Sequence, residues 1–363
     1  MAHLWVRAEQ RNNEERVGLT PEGAKALIDA GLRVTVEESS VRAIPLQGYI
    51  DAGAEIAAEN SWPSAPQDAI IFGLKELPED GTALPHRHIM FGHAFKGQFS
   101  GKALLERFRE GGGTLYDLEY LVDGSGRRVA AFGYWAGFAG AAVSLIAWAA
   151  QQNGGICGPV GAYKDKDTLL ADLAGRLDAT GNPRPNAIVI GALGRVGAGA
   201  ADLCEALGVK VTKWDMEETA SGGPFPEILQ HNLFFNCILA RPGTPVFVPQ
   251  SALTAKRALT VIGDIACDPD SDYNPVPIYD RATNWAEPVF RAHGTPITRA
   301  HDAPPLDVMA IDNLPSMLPL ESSQDFAAQL LPSLLTLSNL SADASDNVWA
   351  RAEAEFNKHI AEL

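Results

Sequence analysis

The segment Ile188-Val189-Ile190-Gly191-Ala192-Leu193-Gly194-Arg195-Val196-Gly197-Ala198-Gly199 reads as a buried strand running into glycines and then into a helix over 200–207. Glycine is needed where a Cβ would block a tight turn or hold backbone N–H groups away from a pyrophosphate at a helix N-terminus. The spacing G-x-x-G-x-x-G departs from the commoner G-x-G-x-x-G, and glycines alone also serve close strand-to-helix packing. What sharpens the reading is the next strand, 209–214, which ends in Asp215. An acid about 20 residues after the glycines is placed to accept hydrogen bonds from an adenosine ribose. It also repels a 2′-phosphate, favouring NAD over NADP, although Lys213 beside it pulls the other way. Gly191, Gly194, Gly197 and Asp215 are therefore candidate cofactor contacts.

Working outward, strands alternate with helical stretches on both sides of this loop. Before it, strands are expected over 3–7, 32–37, 69–74, 89–91 and 114–116, with a helix opening at Thr20-Pro21 and a helix-like stretch ending near Ala58. After it, strands are expected over 233–239 and 260–264, surface connections over 274–278 and at Pro304-Pro305, and long helices over 325–335 and 348–363. Such alternation implies parallel sheets covered by helices. The fold class is α/β: two Rossmann-like domains with a cleft between them. The 363 residues are long for a single core. The division expected is 1–133 with 324–363 as the substrate and catalytic domain, and 134–323 as the NAD-binding domain.

A net charge of −16 repels phosphate backbones and anionic lipid, so no nucleic-acid and no membrane partner is expected. The uncharged run 129–150 is rich in Ala and Gly and suits a buried helix better than a membrane span. Cys157, Cys204, Cys237 and Cys267 lack metal-ligand spacing. They are expected to be reduced, in the cytoplasm, with no metal site.

Three strand ends of the first half carry unusual polarity: Lys75 and Glu76 in Gly73-Leu74-Lys75-Glu76-Leu77-Pro78, His93 and Lys96 in Phe91-Gly92-His93-Ala94-Phe95-Lys96, and Glu119 in Tyr116-Asp117-Leu118-Glu119-Tyr120. Taken singly, each is compatible with a solvated loop charge or a core histidine. Adjacent parallel strands would bring Lys75, His93 and Glu119 to one sheet edge, where a lysine and a histidine can exchange protons. Arg16, Arg127 and Arg128 could supply the local basic pocket that an acidic chain needs to hold carboxylates.

These segments resemble known families. Asn12-Asn13-Glu14-Glu15-Arg16-Val17-Gly18-Leu19-Thr20-Pro21 looks like the N-terminal signature of alanine dehydrogenase and the transhydrogenases. The strand-end motifs above, Gly126-Arg127-Arg128-Val129-Ala130-Ala131-Phe132-Gly133, the Gly191 loop and Ile311-Asp312-Asn313-Leu314-Pro315 resemble the narrower NAD-dependent, lysine-forming saccharopine dehydrogenases across nearly the whole chain. The resemblance implies reversible oxidative deamination of saccharopine to lysine and 2-oxoglutarate. It implies Lys75 as the base for the substrate's secondary amine, His93 as the second acid/base, and Lys96, Glu76 and Glu119 tuning them. Arg16, Arg127, Arg128, Phe132, Ala266, Cys267 and Asp268 would contact substrate. Gly194, Arg195, Asp215, Thr219, Ile265, Ile311, Asp312, Asn313 and Leu314 would contact NAD, and Leu239 stands where the fungal form has a tyrosine near the cofactor. That form carries a cysteine at the position of Val196, so a thiol link from there to Cys237 is impossible here. A monomer acting on small molecules is implied. The competing readings are an alanine-dehydrogenase-like or other opine-type dehydrogenase, and a non-catalytic NAD-binding regulator.

Overall fold

The computed structural model describes residues 1–96, 99–267, 269, 271–292, 304–340 and 347–363. The chain divides into two compact units, Met1–Ala131 with Pro319–Leu363, and Phe132–Leu318. The divisions fall at 131/132 and 318/319 rather than at 133/134 and 323/324, the second because a helix opens at Pro319.

The first unit begins with β1 (His3–Val6), α1 (Pro21–Asp29), β2 (Arg33–Glu37), α2 (Leu46–Asp51), β3 (Glu55–Ala57), β4 (Ala69–Phe72), β5 (Arg87–Met90), α3 (Phe99–Gly111) and β6 (Thr114–Asp117). Thr20 caps α1 by accepting from Gly23 N at 3.2 Å, with Pro21 at the first helical position. The sheet runs β3-β2-β1-β4-β5-β6, every pairing parallel. β1 and β4 are the neighbours across which the strand order reverses, and ligands of open α/β sheets bind beyond the C-terminal strand ends at such a point.

Two readings of this half change. Residues 52–58 hold a short edge strand, β3, paired to β2, instead of continuing a helix. Gly53, at φ +89°, ends α2 and lets the chain turn back to the sheet. α3 had no counterpart in the sequence reading.

The second unit opens with α4 (Gly133–Gln152) and continues through α5 (Lys166–Ala179), β7 (Asn186–Ile190), α6 (Arg195–Ala206), β8 (Lys210–Trp214), α7 (Met216–Thr219), β9 (Leu233–Asn236), β10 (Val261–Asp264), β11 (Phe290–Arg291) and β12 (Asp307–Met309). Its sheet runs β11-β12-β10-β9-β7-β8 and is parallel except for the β11–β12 pair. α4 is long and apolar enough to cross a membrane, yet it is buried from Gly137 to Ala149 inside this unit. One face of the sheet packs on α4, α5 and α6; the other covers Phe234, Ile262 and Val308.

α6 starts at Arg195, five residues before the expected Ala200, so Gly197 and Gly199 are helical. Packing explains their tolerance: a Cβ on Gly199 would sit 1.9 Å from the Tyr134 carbonyl oxygen, and one on Gly137 would sit 1.8 Å from that of Val196. Backbone approach between α4 and α6 outweighs glycine's poor helix propensity. The 274–278 connection is also not superficial, since Val276 is fully buried and Asn274 and Ile278 nearly so.

The chain then returns to the first unit with α8 (Pro319–Leu334) and α9 (Val348–Ala361). Trp349 of α9 meets Tyr116 edge-on at 5.5 Å between centroids, and Phe356 meets Phe108. Ser323 of α8 accepts from Val17 N at 3.0 Å.

Gly137→Ala places a methyl against backbone that cannot step aside. We expect it to destabilise the chain by about 3 kcal/mol or more, read as a lowered urea midpoint; an unchanged midpoint would show that the α4–α6 crossing can open.

Candidate active site

In the first unit, β4, β5 and β6 lie side by side and deliver Lys75, His93 and Glu119 to one sheet edge. The turn after β4 is built from beneath. Arg7, fully buried, donates to the carbonyl oxygens of Lys75 and of Ala8, the latter at 3.1 Å, and pairs with Glu9 at 3.4 Å. Glu9 accepts from Leu74 N at 2.6 Å and Lys75 N at 3.0 Å. Gly73 must be glycine there, because its Cβ would lie 2.4 Å from the Arg7 guanidinium. Behind Ala8, the buried Glu37 carboxylate accepts from Ala8 N, Trp5 Nε1, Asn60 N and Trp62 N at 2.6–3.0 Å.

Lys75 is half-buried, and among the described residues its ammonium makes no hydrogen bond or ion pair. Burial pushes its pKa down, and the Arg16 charge pushes the same way against the opposing pull of Glu14. Glu14 and Arg16 form a buried two-point pair, at 2.7 Å and 2.6 Å. That pair and the Lys75 charge hold Glu14 below the ordinary carboxylate range although burial alone would raise it.

His93 adopts a left-handed φ of +48°, with Nε2 3.3 Å from Glu76 and Nδ1 3.8 Å from Glu119. Glu119 also accepts from Lys96 at 2.9 Å and Arg128 at 2.5 Å. Burial favours its neutral form, but Lys96, Arg128 and His93 outweigh this and keep its pKa low. A cavity of about 620 Å³ opens beside His93 and Glu76, bordered by Arg11, Glu79, Glu106 and Arg107.

The arginines do not form the shared basic pocket that was expected. Arg16 is spent on Glu14 and Arg128 on Glu119, while Arg127 is exposed and pairs with Asp123 at 3.3 Å. Each has a carboxylate partner, and for the buried Arg16 that partner is needed because an isolated guanidinium charge is costly to bury.

In the second unit the glycine loop is a cradle that side chains would fill. Gly191 has φ +89°, and a Cβ there would lie 2.9 Å from the Cys237 carbonyl oxygen; on Gly197 it would lie 2.2 Å from that of Gly191. Gly194 caps α6 without a side chain, leaving the helix N-terminus suited to an anion. Gly191 N and Ala192 N bond the Trp214 carbonyl, and Asp215 accepts from Leu193 N at 3.0 Å. Lys213 pairs with Glu205 at 2.7 Å. Thr219 donates to the Asp215 carbonyl, and Arg195 is exposed. Leu193, Met216 and Leu239 are exposed apolar residues beyond β7, β8 and β9, a rim suited to a base. Ile265, Ile311 and Leu314 lie in the core, whereas Asp312 is exposed and Asn313 half-buried. Phe132 precedes α4, Ala266 is exposed, and Cys267, at φ +48°, bonds Asp264 and the Ala310 carbonyl. Asp268 lies outside the described residues.

Residues 5–139 match the family model "Alanine dehydrogenase/PNT, N-terminal domain". Saccharopine dehydrogenase [NAD(+), L-lysine-forming] of Candida albicans is 44% identical over 99% of this chain and 97% of its own, and that of Schizosaccharomyces pombe is 42% identical over 99% of each. The chain belongs to the NAD(+), L-lysine-forming saccharopine dehydrogenase family. The resemblance read from the strand-end motifs is thus borne out. Among solved structures, an L-alanine dehydrogenase (TM-score 0.67, 19% identity, covering 96% of this chain and 94% of that one) and a transhydrogenase from Sinorhizobium meliloti (TM-score 0.64, 18% identity, covering 96% and 97%) share the fold. Against this saccharopine dehydrogenase frame, sequence reasoning found the charged tips of the strand ends but missed what supports them. Arg7 and Glu9 follow β1 directly, and a charge pair at the end of an apolar strand was the available signal.

Because burial and the Arg16 charge both disfavour its ammonium form, Lys75 is expected to lose its proton below the ordinary lysine value of 10.5. Competitive isotopic acetylation across pH measures its midpoint; a value at or above 10.5 would contradict the electrostatics described.

Proposed function

We propose that this chain catalyses the NAD-dependent, reversible oxidative deamination of L-saccharopine to L-lysine and 2-oxoglutarate. The observation that carries the reading is Lys75: a half-buried amine without an ion-pair partner among the described residues, on the same sheet edge as His93. Family membership narrows the substrate.

When bound, NAD would supply the acceptor for the hydride that leaves the glutaryl α-carbon. Gly191, Gly194, Arg195 and Gly197 would hold its pyrophosphate, Asp215 would accept from its ribose, and Thr219, Leu239, Ile265, Ile311, Asp312, Asn313 and Leu314 would complete the same site. Neutral Lys75 takes the proton of the secondary amine as the carbon–nitrogen double bond forms. Water then adds to the imine carbon, and His93 moves protons through the carbinolamine until the C–N bond breaks and the nitrogen leaves as the lysine amine. Glu76 and Glu119 face the two ring nitrogens of His93, and Lys96 and Arg128 keep Glu119 ionised. A buried lysine is suited to the base role because its amine is free at lower pH than an exposed one. We take Arg16, Arg127, Arg128, Phe132, Ala266, Cys267 and Asp268 to meet the substrate. We also take the protein to act as a cytoplasmic monomer on small molecules alone.

Mixing the purified chain with saccharopine and NAD should produce NADH absorbance. Lys75→Met should lower kcat by about 100-fold or more with NAD affinity kept. Activity on alanine and pyruvate in place of saccharopine would instead assign an alanine-dehydrogenase-like enzyme, and full turnover by the variant would free Lys75 of the base role.

A further inference from the structure

We propose that Asp117 is a positioning residue for this reaction, its buried carboxylate tying together the two turns that carry His93 and Glu119. Asp117 ends β6 and is fully buried. One oxygen, Oδ2, accepts from Gly92 N at 3.2 Å; the other, Oδ1, accepts from Glu119 N at 2.8 Å. Those N–H groups belong to the residue before His93 and to Glu119 itself. No other side chain among the described residues bonds both turns through their backbone.

The tie has work to do. His93 occupies the left-handed region, which costs a side-chain-bearing residue energy unless its surroundings impose it. Gly92 leaves room for the tie: a Cβ there would lie 2.7 Å from Leu115 Cδ2 and 3.2 Å from Asp117 Oδ2. A displaced Gly92 would carry the His93 ring away from Glu119, whose Oε2 it meets at only 3.8 Å.

Ionisation matters because the carboxylate offers a strong acceptor on both sides, whereas protonation turns one oxygen into a hydroxyl that accepts weakly and brings a buried proton needing its own acceptor. The charges around Asp117 are Glu119 in its own turn and Arg128 beyond it, with Lys96 and His93 of the β5 turn reaching Glu119 in front. Burial, reinforced by the Glu119 charge, pushes Asp117 up to about 6, against the two N–H bonds and Arg128. On this account the tie loosens as pH falls through that range.

The proposal rests on the activity given above, and the test separates the two. Saccharopine and NAD are first given to the native chain, and then to Asp117→Asn, which keeps the shape but can accept on one side only. We expect kcat to fall about 10- to 100-fold, with the NAD dissociation constant within about twofold and the thermal midpoint within a few degrees of native. Turnover within about twofold of native would overturn the proposal. So would NAD affinity and thermal midpoint collapsing together with turnover, which would mark a plain stability role. If the native chain forms no NADH, the activity reading falls instead. The amide spectrum of the native chain decides the tie independently of activity and of how the variant folds. Gly92 and Glu119 N–H resonances should shift together with one midpoint near pH 6; separate midpoints, or none between about pH 4.5 and about pH 8, would sink it.

Discussion

The molecule depends on carboxylates placed where a parallel strand stops. At a strand end the ladder runs out, and the next backbone N–H groups need acceptors that water cannot supply in the interior. Glu37 receives four such donors, one of them an indole. Glu9 receives two, Asp117 two, and Asp264 takes Cys267 N together with the Asn236 amide and Tyr279 hydroxyl. Each brace accepts at least two hydrogen bonds, which tie the turn above it in place. Lys75, His93 and Glu119 stand on or beside turns of this kind, and chemistry that passes protons over hydrogen-bond distances needs such positioning.

The second consequence is electrostatic. In a chain of net charge −16, Arg7, Arg16 and Arg128 at the sheet edge each pair with a nearby carboxylate, while Lys75 makes no ion pair among the described residues. Arg7 is neutralised by Glu9, Arg16 by Glu14, Arg128 by Glu119. Lys75 then feels Arg16 as a neighbouring charge but keeps its lone pair available on deprotonation.

What the sequence made legible follows periodicity and punctuation. β7, its glycines and Asp215 stand out because an apolar run, a glycine spacing and an acid at a set distance coincide. Lys75, His93 and Glu119 stand out because charges at the ends of apolar strands are conspicuous. What escaped was decided by partners far along the chain. The start of α6 was misplaced because Gly197 and Gly199 look like loop until the Gly191 carbonyl is packed on the first and the Tyr134 carbonyl on the second. The supposed pocket of Arg16, Arg127 and Arg128 dissolved because arginine identity does not reveal which carboxylate each will find; Asp123, only four residues before Arg127, claims that side chain. The burial of Val276 was hidden by flanking prolines that read as surface turns.

The division of the chain also bears on its synthesis. The second unit is one uninterrupted stretch, 132–318, whereas the first closes only when residues 319–363 exist. Until α9 is made, Tyr116 and Phe108 lack Trp349 and Phe356, and Val17 N lacks Ser323. The second unit can therefore reach its final form on the ribosome while the first still shows an open apolar flank. Newly made chains would be most exposed to chaperones and proteases through that flank, so the order of synthesis sets when the protein is vulnerable.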